Sequence, residues 1–381
     1  MKNKLQQHFP MIQDRNEILT TIFVQSNLSE IFNTWSTEQQ NEFLDCCTGV
    51  KGIKLLYDSF FKEILNPESV PERMEELLSL ILNRKVKILN VLPNDSTRIA
   101  DESSLLIMDI VVELEDGSIA NVEIQCIGYN FPGQRSACYS ADLLLRQYKR
   151  VKGEQQKKFS YRNIKKVYTI ILFEKSTHEF HQFPDIFIHH SKQKTDTGLQ
   201  IELLQEYTFI CLDIFREIYQ YKPINTKLEA WLTFLCVDEP EKILELIEQY
   251  PEFQTMYEEV YTMCQNVEKV MNMFSKELQE LDRNTVQYMI DEMQDTINDQ
   301  KNTITEQENT ITEQENRITK QENALTKQES TITMQQGIID ATKKQLENVQ
   351  LAYARELLKS GTDFSVISQS TGLSIDVIKK L

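Results

Sequence analysis

The sequence predicts an α/β protein. A sheet flanked by helices is followed by a helical region, a long coiled coil and a short C-terminal helical hairpin. Three observations carry this reading. Apolar residues change from helical spacing to alternation between about Lys85 and Ile214. From about Asn225 strand signals become scarce. Between Asn302 and Gln336 a seven-residue unit recurs as NTITEQE, NTITEQE, NRITKQE, NALTKQE, STITMQQ. The expected units are an N-terminal helical segment (1–50), a sheet-bearing core (51–222), a helical extension (223–288), a coiled coil (289–345) and a hairpin resembling a helix-turn-helix (346–381).

Residues 1–50 read as short helices, and Ser36 with Gln39 three residues on has the form of a capping box. Helical spacing continues through GIKLLYDSFFKEIL (52–65) and SVPERMEELLSLILNRK (69–85), with Pro71 suited to a first turn. Asp58 and Lys62, one turn apart, could support a site from the first helix, but a surface ion pair worth ~0.3–0.5 kcal/mol is the favoured reading. Strands follow at 85–92, on either side of Glu115-Asp116-Gly117, and at 166–174, 186–190 and 206–214, with a helix over 131–151. The sheet-bearing domain is about two hundred residues, within the usual range. Beyond it, Pro240 and Pro251 mark helix starts or breaks. Trp231 and the aromatic residues of 253–261 read as helical core.

In the heptads, Ile304, Ile311, Ile318, Leu325, Ile332 and Ile339 take a positions, which puts Gln307, Gln314, Gln321 and Gln328 at d. Half of the seam is therefore polar, which weakens pairing and leaves the number of strands open. The last segment, 354–381, bends at Gly372 with Ser374 as a candidate N-cap. A plain helical hairpin is favoured over a DNA-reading unit, because the second helix offers few basic or amide side chains to a groove.

The formal net charge of −17 excludes a protein that coats nucleic acid through bulk charge. No run of about 18 apolar residues is present, so no membrane span is expected. MKNKLQQHFPMIQDR lacks the apolar stretch of a signal peptide. The seven cysteines show no CxxC spacing, which fits reduced thiols and a cytoplasmic setting. HEFH, with His178 and His181 three apart, is one residue short of a zinc-binding HExxH and reads as loop histidines.

One stretch is chemically out of place. In SLLIMDIVVELEDGSIANVEIQC (104–126), Asp109 stands among Leu105, Ile107 and Val111, and Glu123 and Gln125 share one face of the next strand. A two-residue turn at Asp116-Gly117 would pair 109 with 124 and send Asp109 and Glu123 to opposite faces. A three-residue loop with Gly117 left-handed pairs 114 with 118 and 109 with 123, so that Asp109, Glu123 and Gln125 share a face. Like charges opposed across a sheet repel, and a hard divalent cation such as Mg²⁺ relieves the repulsion. The helix that follows places Arg135, Tyr139, Asp142 and Arg146 on one face, where Gln134 and Arg135 could reach a phosphate. RQYKRVKGEQQKKFSYRNIKK (146–166) then reverses the local charge, with Tyr148, Phe159 and Tyr161 interleaved. It reads equally as a nucleic-acid track or as a solvated surface loop.

MDIVVELEDGSIANVEIQC followed by FPGQRSACYSADLLLRQY resembles the PD-(D/E)XK nuclease core. It is most similar to the recombination-promoting nuclease and putative transposase family, which has an Asp in one strand, an E-x-Q variant of E-x-K in the next, and an Arg and a Tyr on the following helix. The matching positions are Asp109, Glu123, Gln125, Arg135 and Tyr139. YDSFFKEIL, LLSLILNRKV and KLEAWLTFL resemble the family's flanking helices, so the likeness covers roughly 50–290. Met108 stands where the superfamily has proline. The resemblance implies a restriction-endonuclease-like mixed sheet, Mg²⁺-dependent cleavage of DNA (Mn²⁺ serving as well), and a metal shell of Asp109, Glu123 and the carbonyl of Ile124. The leading expectation is a DNA endonuclease linked to recombination or transposition. Gln125 would position water, Arg135 would steady the phosphate, and the coiled coil would join copies of the chain. The rival expectation is a decayed nuclease fold that acts as an oligomeric scaffold.

Overall fold

The structure, a computed structural model, describes residues 3–93, 109–126 and 132–381. Leu105, Ile107, Met108 and Phe131 lie outside the described residues. The chain divides into two compact units, one up to Met293 and one from Gln294.

The first unit opens with four short helices, α1 (Lys4–His8), α2 (Arg15–Val24), α3 (Ser26–Thr34) and α4 (Thr37–Cys47). Three of them start from capping boxes, at Asn3, Asp14 and Ser36. In each, a side-chain oxygen takes up an N–H that helix geometry leaves unpaired. Next come α5 (Asp58–Ile64) and α6 (Pro71–Ile81), the latter with Pro71 in its first turn.

The sheet has six strands: β1 (Ile88–Val91), β2 (Ile110–Leu114), β3 (Ile119–Gln125), β4 (Val167–Phe173), β5 (Ile188–Lys192) and β6 (Gln205–Cys211). Their spatial order is β1-β2-β3-β4-β6-β5. The β3–β4 and β4–β6 pairs are parallel and the others antiparallel, so the sheet is mixed as expected. Helix α7 (Pro132–Gln155) makes the crossover from β3 to β4. It extends past the expected end at 151, to Gln155.

The two sheet faces bury different partners. Val112, Leu114, Ala120, Val122, Ile170 and Leu172 enter the main core. On the other face, Val111, Ile119 and Val167 pack against Tyr139 and Leu143 of α7. Three polar clamps fix α7 there. Arg150 grips the buried Glu113 through two bonds of 2.5 Å. Ser140 Oγ accepts a hydrogen bond from Gln205 Nε2 at 3.0 Å. Gln147 donates to the Gly117 carbonyl and accepts from the Lys165 N–H.

The rest of the unit is helical: α8 (Leu212–Tyr219), α9 (Lys227–Cys236), α10 (Pro240–Gln249), α11 (Glu252–Cys264) and the start of α12 (Val267–Lys359). Pro240 opens α10 and Pro251 caps α11. Trp231, Phe253, Tyr257 and Tyr261 are buried in the main core, as their helical spacing implies.

In the second unit α12 continues to Lys359, followed by α13 (Phe364–Thr371) and α14 (Ile375–Ile378). Ala354, Ile367 and Ile378 close a small core. Gly372 turns the chain with φ +71°, while Ser374 occupies the N-cap position without a side-chain cap bond. The a-position residues of the heptads, from Ile304 to Ile339, lie 47–63% exposed along α12.

Candidate metal centre

The hairpin between β2 and β3 decides the geometry of the site. The Leu114 N–H bonds the Ser118 carbonyl, and the Gly117 N–H bonds the Leu114 carbonyl, both at 2.8 Å. Gly117 has φ +82°. The loop is therefore three residues long, with its glycine left-handed. The ladder runs Ile110↔Val122, Val111↔Asn121 and Val112↔Ala120. Carried one step further, this register sets Asp109 opposite Glu123. The Asp109 N–H bonds Glu123 Oε1 at 3.3 Å, and Asp109 Oδ2 accepts the Ile124 N–H at 2.7 Å. In a strand the N–H and C=O of one residue point to the same neighbour, so the Ile124 carbonyl is turned to the Asp109 side.

Both acids are pressed out of water; the Asp109 side chain is 16% exposed and Glu123 is 3% exposed. Burial, together with the negative charge of Asp109, pushes the Glu123 carboxyl up to about 8. Asn121, Arg135 and the Asp109 N–H work against that rise. Burial and Asp58 push Asp109 up to about 6, against the pull of Lys62 and the Ile124 N–H. A pair of this kind holds a proton or a cation at neutral pH.

Gln125 lies on the same face, 4% exposed, and neither amide atom has a hydrogen-bond partner among the described residues. Leaving such a group unpaired costs on the order of 1–3 kcal/mol. From α7, Arg135 comes close enough to act on Glu123. Its Nε donates to Tyr139 Oη at 2.9 Å, and its guanidinium lies 5.4 Å from the Tyr139 ring centre. Burial raises the Tyr139 hydroxyl to about 12, so it remains protonated beside the acids. Asp109, Glu123, Arg135 and Tyr139 thus converge, and Gln125 follows one alternation along the same face of β3. Gln134 is exposed at the start of α7, and Asp142 and Arg146 pair with each other at 2.7 Å further along the helix.

This donor set fits a hard divalent cation. Two carboxylates at opposed positions share one buried face, a carbonyl is turned to the same side, and a buried amide is left for an outer ligand or water. Among the described residues no group of three His, Cys, Asp or Glu side chains converges, so the remaining positions would fall to water and substrate. The histidines take no part. His178 is exposed, and His181 bonds Ser176 and Asp213.

Two further residues stand beside the acids. Lys62 is not confined to a surface pair with Asp58. Its Nζ lies 2.6 Å from Asp58 Oδ1 and 3.2 Å from Asp109 Oδ1. Spacing along one helix shows the first partner but not the second, which arrives from a distant strand. Asn121 stands beside Glu123 on the buried face. Its signal was present in the period-two run Asn121, Glu123, Gln125 through an otherwise apolar strand.

The basic segment is more divided than its composition implies. Arg146, Arg150 and Lys166 are spent on Asp142, Glu113, Glu202 and Glu206. Lys149, Lys152, Lys157, Lys158, Arg162 and Lys165 have no carboxylate partner among the described residues. They surround a cluster in which Tyr148 stacks on Tyr161 at 6.1 Å and Phe159 meets both rings edge-on.

The model of the PD-(D/E)XK nuclease family transposase matches residues 55–292. The chain belongs to that family. The matched stretch runs from just before α5 to the early part of α12, and so includes the whole sheet and both acids. Membership sets the chain among nuclease- and transposition-related proteins. No curated protein and no solved structure matches it. Among the described residues no helix is long and apolar enough to cross a membrane.

Proposed function

We propose that this member of the PD-(D/E)XK nuclease transposase family is a metal-dependent DNA endonuclease acting in recombination or transposition. The observation that carries the reading is the crowding of Asp109 and Glu123 on one buried face, beside the amide of Gln125, which has no hydrogen-bond partner among the described residues. Asp109, Glu123 and the carbonyl of Ile124 would hold the ion, with Mg²⁺ or Mn²⁺ suited to such oxygen ligands. Bound there, the ion would polarise the phosphate and lower the pKa of a water. Gln125 would hold a water by its amide. Arg135, braced by Tyr139, offers a guanidinium to the phosphate.

DNA reaches the centre along α7. The six cations that have no carboxylate partner among the described residues, around Tyr148, Phe159 and Tyr161, form a local positive surface on an acidic chain. The half-exposed isoleucine row of α12 meets the same row of a second copy in a coiled coil, which would bring two centres to two strands. All seven cysteines are free thiols, in keeping with a reducing, cytoplasmic setting.

The test is plasmid nicking with Mg²⁺ or Mn²⁺. Wild type is expected to convert supercoiled DNA to nicked or linear forms, and Asp109→Ala to leave it intact. Equal inactivity of both proteins across substrates and metals would favour a scaffold built on a decayed nuclease fold.

A further inference from the structure

We propose that Lys62, carried by α5, supplies the cation of the cleavage centre that the E-x-Q strand lacks. The inference rests on the phosphodiesterase reading above and adds a residue to it.

Residue 125 is an amide and brings no charge. A divalent ion held there would balance the two carboxylates, while the scissile phosphate adds negative charge that grows in the transition state. A further cation is therefore needed close to the acids. Arg135 lies on one side, with its Nε committed to Tyr139. Lys62 lies on the other, its ammonium 3.2 Å from Asp109 Oδ1. The backbone beneath Lys62 is fixed, because Phe60, Phe61, Ile64 and Leu65 are all buried in the main core. The start of α5 is pinned as well, since the Ser59 N–H bonds the Glu277 carboxylate at 3.1 Å. Asp58, one turn back, steers the side chain at 2.6 Å. The Lys62 side chain is 32% exposed, so solvent reaches it.

In hydrolysis a bond forms between the water oxygen and phosphorus, and the bond from phosphorus to the leaving oxygen breaks. The water gives a proton to solvent, and the leaving oxygen takes one up. Lys62 keeps its protons throughout. It donates hydrogen bonds to the phosphoryl oxygens on which charge accumulates, and an ammonium with three donors suits that task.

The experiment uses the full chain with Mn²⁺ and a supercoiled plasmid. Lys62→Met is expected to lower kcat by about 10²-fold, the usual loss for a missing transition-state donor, and to leave KM within about threefold. Lys62→Arg, which keeps the charge, should retain more than a tenth of the wild-type rate. Lys62→Met combined with Gln125→Lys should recover at least tenfold over Lys62→Met, because a cation returns to the same carboxylates. Mn²⁺ binding, followed by calorimetric titration, should be kept or tightened in Lys62→Met, since a competing cation has left Asp109. A folded Lys62→Met protein that cleaves within threefold of wild type overturns the inference and leaves the nuclease reading standing. Parallel loss of Mn²⁺ binding and cleavage, with no rescue from either Lys62→Arg or the double variant, reduces Lys62 to a structural role and overturns it too. A wild type that neither binds Mn²⁺ nor cleaves overturns the nuclease reading and this inference together.

Discussion

Glu123→Gln should make the metal-free protein more stable at neutral pH, although it removes an ionisable, hydrogen-bonded group. Glu123 is pushed from 4.5 up to about 8 by burial and by Asp109. In the unfolded chain the same carboxyl ionises near its ordinary value. Between those two pH values the unfolded state binds fewer protons than the folded one, so stability falls as pH rises. The contribution is intact below about pH 4.5 and is lost progressively up to about pH 8. Over the 2.5 pH units from 4.5 to 7, at 1.36 kcal/mol each, the native fold gives up about 3 kcal/mol. A glutamine does not ionise and can still accept the Asp109 N–H through its carbonyl oxygen. Urea unfolding in EDTA at pH 4.5 and pH 7 should therefore show the variant about equal to wild type at the lower pH and about 3 kcal/mol more stable at the higher one. Mn²⁺ should reverse the ranking. It should stabilise wild type by about 4.1 kcal/mol at a thousandfold excess over its Kd and the variant by much less. A variant less stable than wild type at pH 7 without metal, or equally stabilised by Mn²⁺, would refute the crowding of the two acids as the basis of the site.

Gly117→Ala tests the loop. At φ +82°, with the added methyl group 3.3 Å from Lys165 Cγ, it should cost about 1–2 kcal/mol by thermal melting and lower Mn²⁺ affinity along with it. Neutralising Lys157, Lys158 and Arg162 together should weaken DNA binding and reduce the slope of log K against log salt by about 2.7, with no effect on Mn²⁺ binding; an unchanged slope makes the segment an ordinary surface loop. Arg150→Ala should destabilise the first unit by about 3–5 kcal/mol in urea, because it strands Glu113 in a buried site. Ile311→Lys with Ile318→Lys should shift the chain to monomer in analytical ultracentrifugation while its near-ultraviolet signal, dominated by the aromatic core, stays unchanged.

Much of the sheet could be read from the sequence because its cues are local. Gly117 after Glu115-Asp116 selects a three-residue loop, and once the loop is set, strand alternation places Asp109, Glu123 and Gln125 without further information. Pro71, Pro240 and Ser36 mark helix starts by chemistry confined to one turn. What escaped depends on contacts between distant residues. Lys62 and Asp109 are 47 positions apart, and only the seating of α5 on the core through Phe60, Phe61 and Ile64 joins them. Sequence showed nine basic residues between Arg146 and Lys166 but could not show that Glu113, Asp142, Glu202 and Glu206 claim three of them. The same folding step divides the basic segment by task. Arg150 locks α7 to β2 and so holds Arg135 over the acids, while the cations that remain face outward around Tyr161, which is 75% exposed. A helix that must place one arginine at a buried carboxylate pair and also carry an exposed cationic end needs just such internal anchors. Glu113 and Arg150 therefore belong to the positioning of the site as much as to stability, and Arg150→Ala should impair cleavage even under conditions where the fold survives.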